Sequence, residues 1–281
     1  MDFSAAYGVA ASATFSMMTA IWLCSLFLKD ASLVDRFWGA GFVLIAWVVA
    51  LFSMPLTGAK VLLLSVISIW GLRLSLYIHW RNRGHGEDYR YAEMRRHHGN
   101  RFWWYSFISV FCLQGALMLI VAAPVIFLIS SPEVNEVSSA GVVGAIFWAT
   151  GFVFEAGGDW QLLRFKKNPA NKGQLLKDGL WSITRHPNYF GDALQWWGIG
   201  IMAFAYGNTG LLTFIGPIVM TLFIRKVSGV DLLEKNLKNS KPGYAEYIAN
   251  TPPFFPGWRF WVLLLALSVI AVVVFNALSP N

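Results

Sequence analysis

Eight apolar runs, near residues 4–28, 38–54, 59–80, 105–130, 138–163, 190–206, 208–226 and 259–278, take up most of this chain. A run of about 19 apolar residues is enough to cross a bilayer as a helix. The pattern predicts an all-α fold, a polytopic membrane helical bundle of about eight transmembrane helices. With 56% hydrophobic residues, 13% charged and 14 Trp, the composition lies outside the range of soluble domains. The first run lacks the basic start of a signal peptide and is long enough to span, so it counts as a helix.

Charge falls unevenly on the connections. Those at 29–37, 81–103, 164–188 and 225–258 hold nearly every Lys and Arg, whereas 55–60 has Lys60 alone and 130–138 has Glu133 and Glu136. Positive loops stay in the cytoplasm, which puts both termini on the other side. The net charge of +7 therefore follows from topology and needs no nucleic acid, although basic loops also attract anionic membrane lipids and phosphate. Cys24 and Cys112 lie in apolar runs without spaced partners, which leaves a disulfide, a zinc site and a thiol nucleophile unsupported.

Three parts are expected: 1–103, three helices with a basic loop; 104–258, a four-helix block; and 259–281, a further C-terminal transmembrane helix. The densest polar chemistry lies at 155–196. Glu155 and Asp159 share one helical face, with Arg164 and Lys166 further toward the cytoplasm. Carboxylates at that depth suit hydrogen bonding to amides, hydroxyls or a nucleobase, and the cations suit phosphate. The alternative is that one carboxylate neutralises Arg73 of another helix.

Pro187 suits the first turn of a helix, whose free amides would lie beside Arg185 and His186 in a geometry favourable to phosphate. Along that helix Asn188, Asp192, Gln195 and Trp196 form one polar face that a lipid-facing helix would not tolerate. A capped helix with Arg185 snorkelling to headgroups explains Arg185 alone, but not the whole face.

These residues carry a resemblance. Val34-Asp35-Arg36-Phe37-Trp38-Gly39, Trp70-Gly71-Leu72-Arg73, Arg81-Asn82-Arg83-Gly84-His85, Glu155 through Asp159, Arg185-His186-Pro187-Asn188-Tyr189-Phe190-Gly191-Asp192 and Gly243-Tyr244-Ala245-Glu246-Tyr247 resemble the steroid 5α-reductase family and its bacterial DUF1295-type relatives. The resemblance implies a seven-helix core in a bacterial inner membrane and a reductase that uses NADPH. It implies cofactor contacts at Asn82, Arg83, His85, Glu155, Asp159, Lys166, Lys172, Arg185, His186, Asn188, Tyr189, Asp192 and Trp196. His85 stands where the reductases often have Arg, Glu155 where they have Asn, and Lys166 for a phosphate-binding Arg. Amides and carboxylates suit nicotinamide and ribose, and cations suit the phosphates.

The implied chemistry is hydride transfer to a C=C bond conjugated to a carbonyl, in a lipophilic substrate drawn from the bilayer. It requires a hydrogen-bond donor at the carbonyl. The Gln-Glu pair of the steroid enzymes has no match here, and their substrate-binding Tyr falls nearest Gly71. Asp35, Arg73 and Tyr77 are the catalytic candidates, Arg73 to polarise the carbonyl and Tyr77 to donate a proton. Equally, Asp35 and Arg73 form a structural ion pair and Tyr77 is an interfacial aromatic.

Gly198-Ile199-Gly200-Ile201-Met202-Ala203 matches a loose dinucleotide fingerprint, but it lies inside a spanning helix and reads as a close packing site. His97-His98 reads as basic surface, with no metal site. Membrane methyltransferases acting on prenylcysteine or phospholipid headgroups resemble the same C-terminal half and bind S-adenosylmethionine; the Asn82-Arg83-Gly84 loop and Lys166 and Lys172 argue for the dinucleotide. A non-enzymatic lipid or sterol binder would require the polar face to have decayed. Substrate identity and oligomeric state are not legible.

Overall fold

The computed structural model describes residues 1–132, 134–206, 212–227, 230, 234 and 243–279. The described elements are all helical, without a strand among them, and they form two compact units, Met1–Glu136 and Val137–Asn281. Among the described residues, five helices are long and apolar enough to cross a membrane: Phe3–Leu28, Gly58–Arg81, Tyr89–Val121, Ser139–Lys167 and Trp258–Leu278. A polytopic helical bundle is thus what the chain builds.

The other apolar runs fare differently. Residues 38–54 give a shorter helix, Trp38–Leu51, and 105–130 divides into two helices at Ala122, with Pro124 in the first turn of the second. Run 190–206 lies within an 18-residue helix, Pro187–Phe204. Run 208–226 extends partly outside the described residues; Ile215–Leu222 is α-helical there.

In the first unit, α1 (Phe3–Leu28) is capped by the Asp2 side chain, which accepts from the Ala5 N–H at 2.7 Å. A short α2 (Leu33–Arg36) leads into α3 (Trp38–Leu51), which packs on α4 (Gly58–Arg81). Two of the sequence motifs meet here through their glycines: a Cβ on Gly71 would fall 2.5 Å from the Gly39 carbonyl oxygen. The close approach lets the Ser75 hydroxyl accept from the Ala40 N–H at 2.8 Å. A basic α5 (Tyr89–His98) continues through α6 (Phe102–Ser106), a π-helical stretch and α7 (Leu113–Val121), followed by α8 (Ala123–Ser130).

The second unit is organised by α9 (Ser139–Lys167), a short α10 (Leu180–Ile183) and α11 (Pro187–Phe204). Gly144, Gly151 and Gly158 recur every seven residues on α9, and Gly191 and Gly198 do so on α11. A Cβ on Gly144 would lie 2.5 Å from the Gly198 carbonyl oxygen, and one on Gly151 would lie 2.6 Å from that of Gly191. Small residues let helix backbones meet in lipid, where no hydrophobic force drives them together. Gly198 is thus the packing site its sequence indicated. Beyond α12 (Ile215–Leu222) and α13 (Tyr244–Asn250), α14 (Trp258–Leu278) lies along α9, with Phe260 edge-on to Phe154 at 5.3 Å and Ser139 bonded to Asn276 at 3.1 Å.

Candidate functional site

The α9–α11 contact sets two acid–amide pairs. Gln195 Nε2 donates to Glu155 Oε2 at 2.6 Å, and Asn188 Nδ2 donates to Asp159 Oδ1 at 3.1 Å. Glu155, Asp159 and Gln195 are buried. Gln195 Oε1 is buried as well and has no hydrogen-bond partner among the described residues. Asp192 is half-buried on the same helix as Asn188, and Trp196 is wholly enclosed. The face predicted from spacing is therefore assembled, as a set of buried polar groups with acceptor capacity left over.

Arg185 and His186 belong to a second cluster. The Arg185 guanidinium grips Glu234 through Nε to Oε1 at 2.9 Å and Nη2 to Oε2 at 3.0 Å, a bidentate pair. Its remaining nitrogen donates to the carbonyls of Ile248 and Thr251. His186 Nε2 lies 2.9 Å from Glu234 Oε1, and the Tyr244 hydroxyl donates to the same oxygen at 2.9 Å. Tyr189 stacks on His186 with ring centroids 5.9 Å apart. Burial would raise the Glu234 carboxyl, but the bonds from His186, Arg185 and Tyr244 outweigh it and hold the pKa at about 2. Burial, with Glu234 alongside, pushes the Tyr244 phenol up.

Glu234 and Tyr244 are absent from the set of site residues chosen from sequence. The signal was a carboxylate in a largely basic stretch, and only the fold shows that it serves Arg185. Lys166 and Lys172 are exposed at the end of α9 and in the loop beyond it. Arg164, nine residues after Glu155, points from the opposite side of α9.

The first unit holds the other candidates. Asp35 takes a hydrogen bond from the Tyr91 hydroxyl at 2.8 Å and an ion pair from Arg90 at 3.2 Å, with Gln114 Nε2 3.4 Å away. Its cation partner is Arg90, where the sequence suggested Arg73. Burial pushes the Asp35 carboxyl up, ahead of the opposing pull of Tyr91 and Arg90. Arg73 lies over the Tyr77 ring at 5.8 Å, as does Arg81 at 5.6 Å. Asn82 caps α4 and its carbonyl accepts from the His85 N–H at 3.2 Å, which shapes Asn82, Arg83, Gly84 and His85 into a turn with Arg83 and His85 exposed. Tyr91 and Gln114 were not legible as site residues, since each lies on a helix far along the chain from Asp35. His98 stacks on Tyr105 at 3.5 Å.

Spanning helices, with buried carboxylates where one of them, α9, meets α11, define a polytopic membrane protein with an internal polar site. The chain belongs to the DUF1295 family, described as a protein of unknown function, whose profile matches residues 21–251. Over 73 residues it is 27% identical to Steroid 5-alpha-reductase DET2 of Arabidopsis thaliana, covering 26% of this chain and 28% of that protein. Over 58 residues it is 43% identical to Probable O-methyltransferase ustE of Ustilaginoidea virens, covering 21% of this chain and 20% of that protein. The chain thus spans well under a third of the length of either curated relative. No solved structure matches it.

Proposed function

We propose that this protein is an NADPH-dependent membrane reductase acting on a C=C bond conjugated to a carbonyl in a steroid-like or other lipid substrate. The observation that carries the reading is the pair of buried carboxylates, Glu155 and Asp159, each bonded by an amide of α11. Intramembrane carboxylates are costly and mark functional sites. The residues fit a dinucleotide: Glu155, Asp159 and Asn188 offer partners for amide and hydroxyl groups, the unpartnered Gln195 Oε1 accepts one more donor, and exposed Lys166 and Lys172 attract phosphate. Arg185 acts through structure, holding Glu234 and the α13 carbonyls so that His186 and Tyr189 stay at the start of α11.

When bound, NADPH supplies hydride. The glycine-packed helices keep water from the polar face, which strengthens each hydrogen bond made there. Reduction of an enone needs a donor at the developing enolate oxygen. Arg73 and Tyr77 are assigned that task, with Asp35 as a third candidate, and Asn82, Arg83 and His85 as further cofactor contacts. In this reading 1–103 serves the substrate, 104–258 the cofactor, and 259–281 covers α9. The basic loops face the cytoplasm of a bacterial cell, with both termini beyond its inner membrane.

A second reading rests on the match to the O-methyltransferase: buried carboxylates also suit the cationic S-adenosylmethionine. Calorimetry on the detergent-purified chain separates the two. Saturable NADPH binding, lost in Asp159→Ala and Asn188→Ala, is expected; S-adenosylmethionine binding without a response to NADPH or NADH would replace reduction by methylation.

A further inference from the structure

The side of α9 turned away from Glu155 carries a cleft and a groove in line with one another. The cleft, about 480 Å³, lies at the C-terminal end of the helix, among Trp160, Arg164, Phe165, Asn168, Asn171 and Asp178. The groove, also about 480 Å³, lies deeper along the same helix, where Ile146, Ala149 and Thr150 face Leu267, Ala271 and Val274 of α14. Between them Val153 is exposed, and Ala149, Val153, Trp160 and Arg164 make one uncovered stripe.

The cleft is preformed. Its loop is fastened to α9 by Asn171 Nδ2 to the Phe165 carbonyl at 3.0 Å and by the Leu180 N–H to Gln161 Oε1 at 3.1 Å, and Asn168 caps the turn between them at 3.1 Å. Arg164 lies 5.4 Å from the Trp160 ring centroid. Among the described residues neither Arg164 nor Asp178 has an ion-pair partner, so one cation and one anion open into the same cleft beside an exposed indole. Trp and Arg at the end of a spanning helix belong to the headgroup level of a bilayer.

We infer that this face of α9 binds one phospholipid whose headgroup joins a phosphate to a primary ammonium, of the phosphatidylethanolamine type. Arg164, held over the Trp160 ring, takes the phosphate, Asp178 takes the ammonium, and an acyl chain descends past Val153 into the groove against α14. The spacing fits. Trp160 to Thr150 is about 15 Å of helical rise, which is about the depth of one leaflet of hydrocarbon. Asp178 disfavours an anionic headgroup that lacks the ammonium. The lipid would brace α9 from behind the carboxylate face, and the site stands whether or not NADPH is the cofactor.

Native mass spectrometry of the full chain in detergent, titrated with dioleoyl phosphatidylethanolamine, phosphatidylglycerol and soluble phosphoethanolamine, tests it. Phosphatidylethanolamine is expected to bind at least tenfold tighter than phosphatidylglycerol and far tighter than phosphoethanolamine. Arg164→Gln, Asp178→Asn and the groove-filling Ala271→Trp should each weaken it about tenfold, and Arg164→Lys should retain most of it. Equal or tighter phosphatidylglycerol binding, or affinity unchanged in Arg164→Gln and Asp178→Asn, overturns the assignment. Phosphoethanolamine binding as tightly as the lipid, with Ala271→Trp silent, overturns the lipid and leaves a soluble-ligand cleft.

Discussion

Gln195 donates to Glu155 across the α9–α11 contact at 2.6 Å, and both side chains are buried. Charge-assisted bonds of this kind are worth about 1.5–3 kcal/mol, and removing one partner leaves the other buried with one bond fewer. Gln195→Leu is therefore expected to harm folding more than Glu155→Gln, which keeps a polar pair. Thermal unfolding in detergent gives the order; a Glu155→Gln variant less stable than Gln195→Leu would show that Glu155 is held by other groups.

The glycine ladder predicts a sharper effect. A Cβ at Gly151 or Gly198 would meet the facing backbone at 2.6 or 2.5 Å, and backbone cannot rotate away. Overpacking costs about 1–3 kcal/mol even where side chains can give. Gly198→Leu should therefore separate α9 from α11 and abolish the proposed NADPH binding with the polar residues unaltered, whereas Gly8→Leu, where open space surrounds the position, should do neither. Binding by calorimetry and Tm together check both.

These two relationships show what the sequence carried. Glu155 and Asp159 are four residues apart on one helix, and Asn188 and Gln195 share one face of the next, so local periodicity was enough to find them. Gly198 was legible as a packing residue for the same reason. Glu234 was not legible as a partner of Arg185, because 49 residues separate them and no period links them. Asp35 likewise offered Arg73 by helix-end logic, while the fold supplies Arg90, Tyr91 and Gln114 from elsewhere in the first unit.

Asp35 gives a pH-linked expectation. Its carboxyl is raised above the usual range, first by burial, so the native state favours the neutral form more than the unfolded chain does. Its contribution is thus present below the ordinary aspartate pKa and is lost as pH rises through the raised value. Asp35→Asn should be neutral or slightly stabilising at pH 7, and reductase activity should fall if the carboxyl takes part in catalysis. A loss of several degrees in Tm with activity intact would make Asp35 a structural anchor for Arg90 and Tyr91.

Glu234 has the opposite sign. Its pKa of about 2 lies below the ordinary 4.5, so its stabilisation is full above pH 4.5 and is lost as pH falls toward 2. Glu234→Gln keeps the shape but cannot balance Arg185, which would remain buried with two carbonyls as its acceptors. Breaking a buried pair by neutralising one partner costs about 3–5 kcal/mol. The variant should therefore unfold at lower temperature at pH 7, and the difference from the parent protein should shrink as pH drops from 5 to 3. A difference that stayed constant over that range would mean that Glu234 carries no charge in the folded cluster and that Arg185 is held by the α13 carbonyls alone.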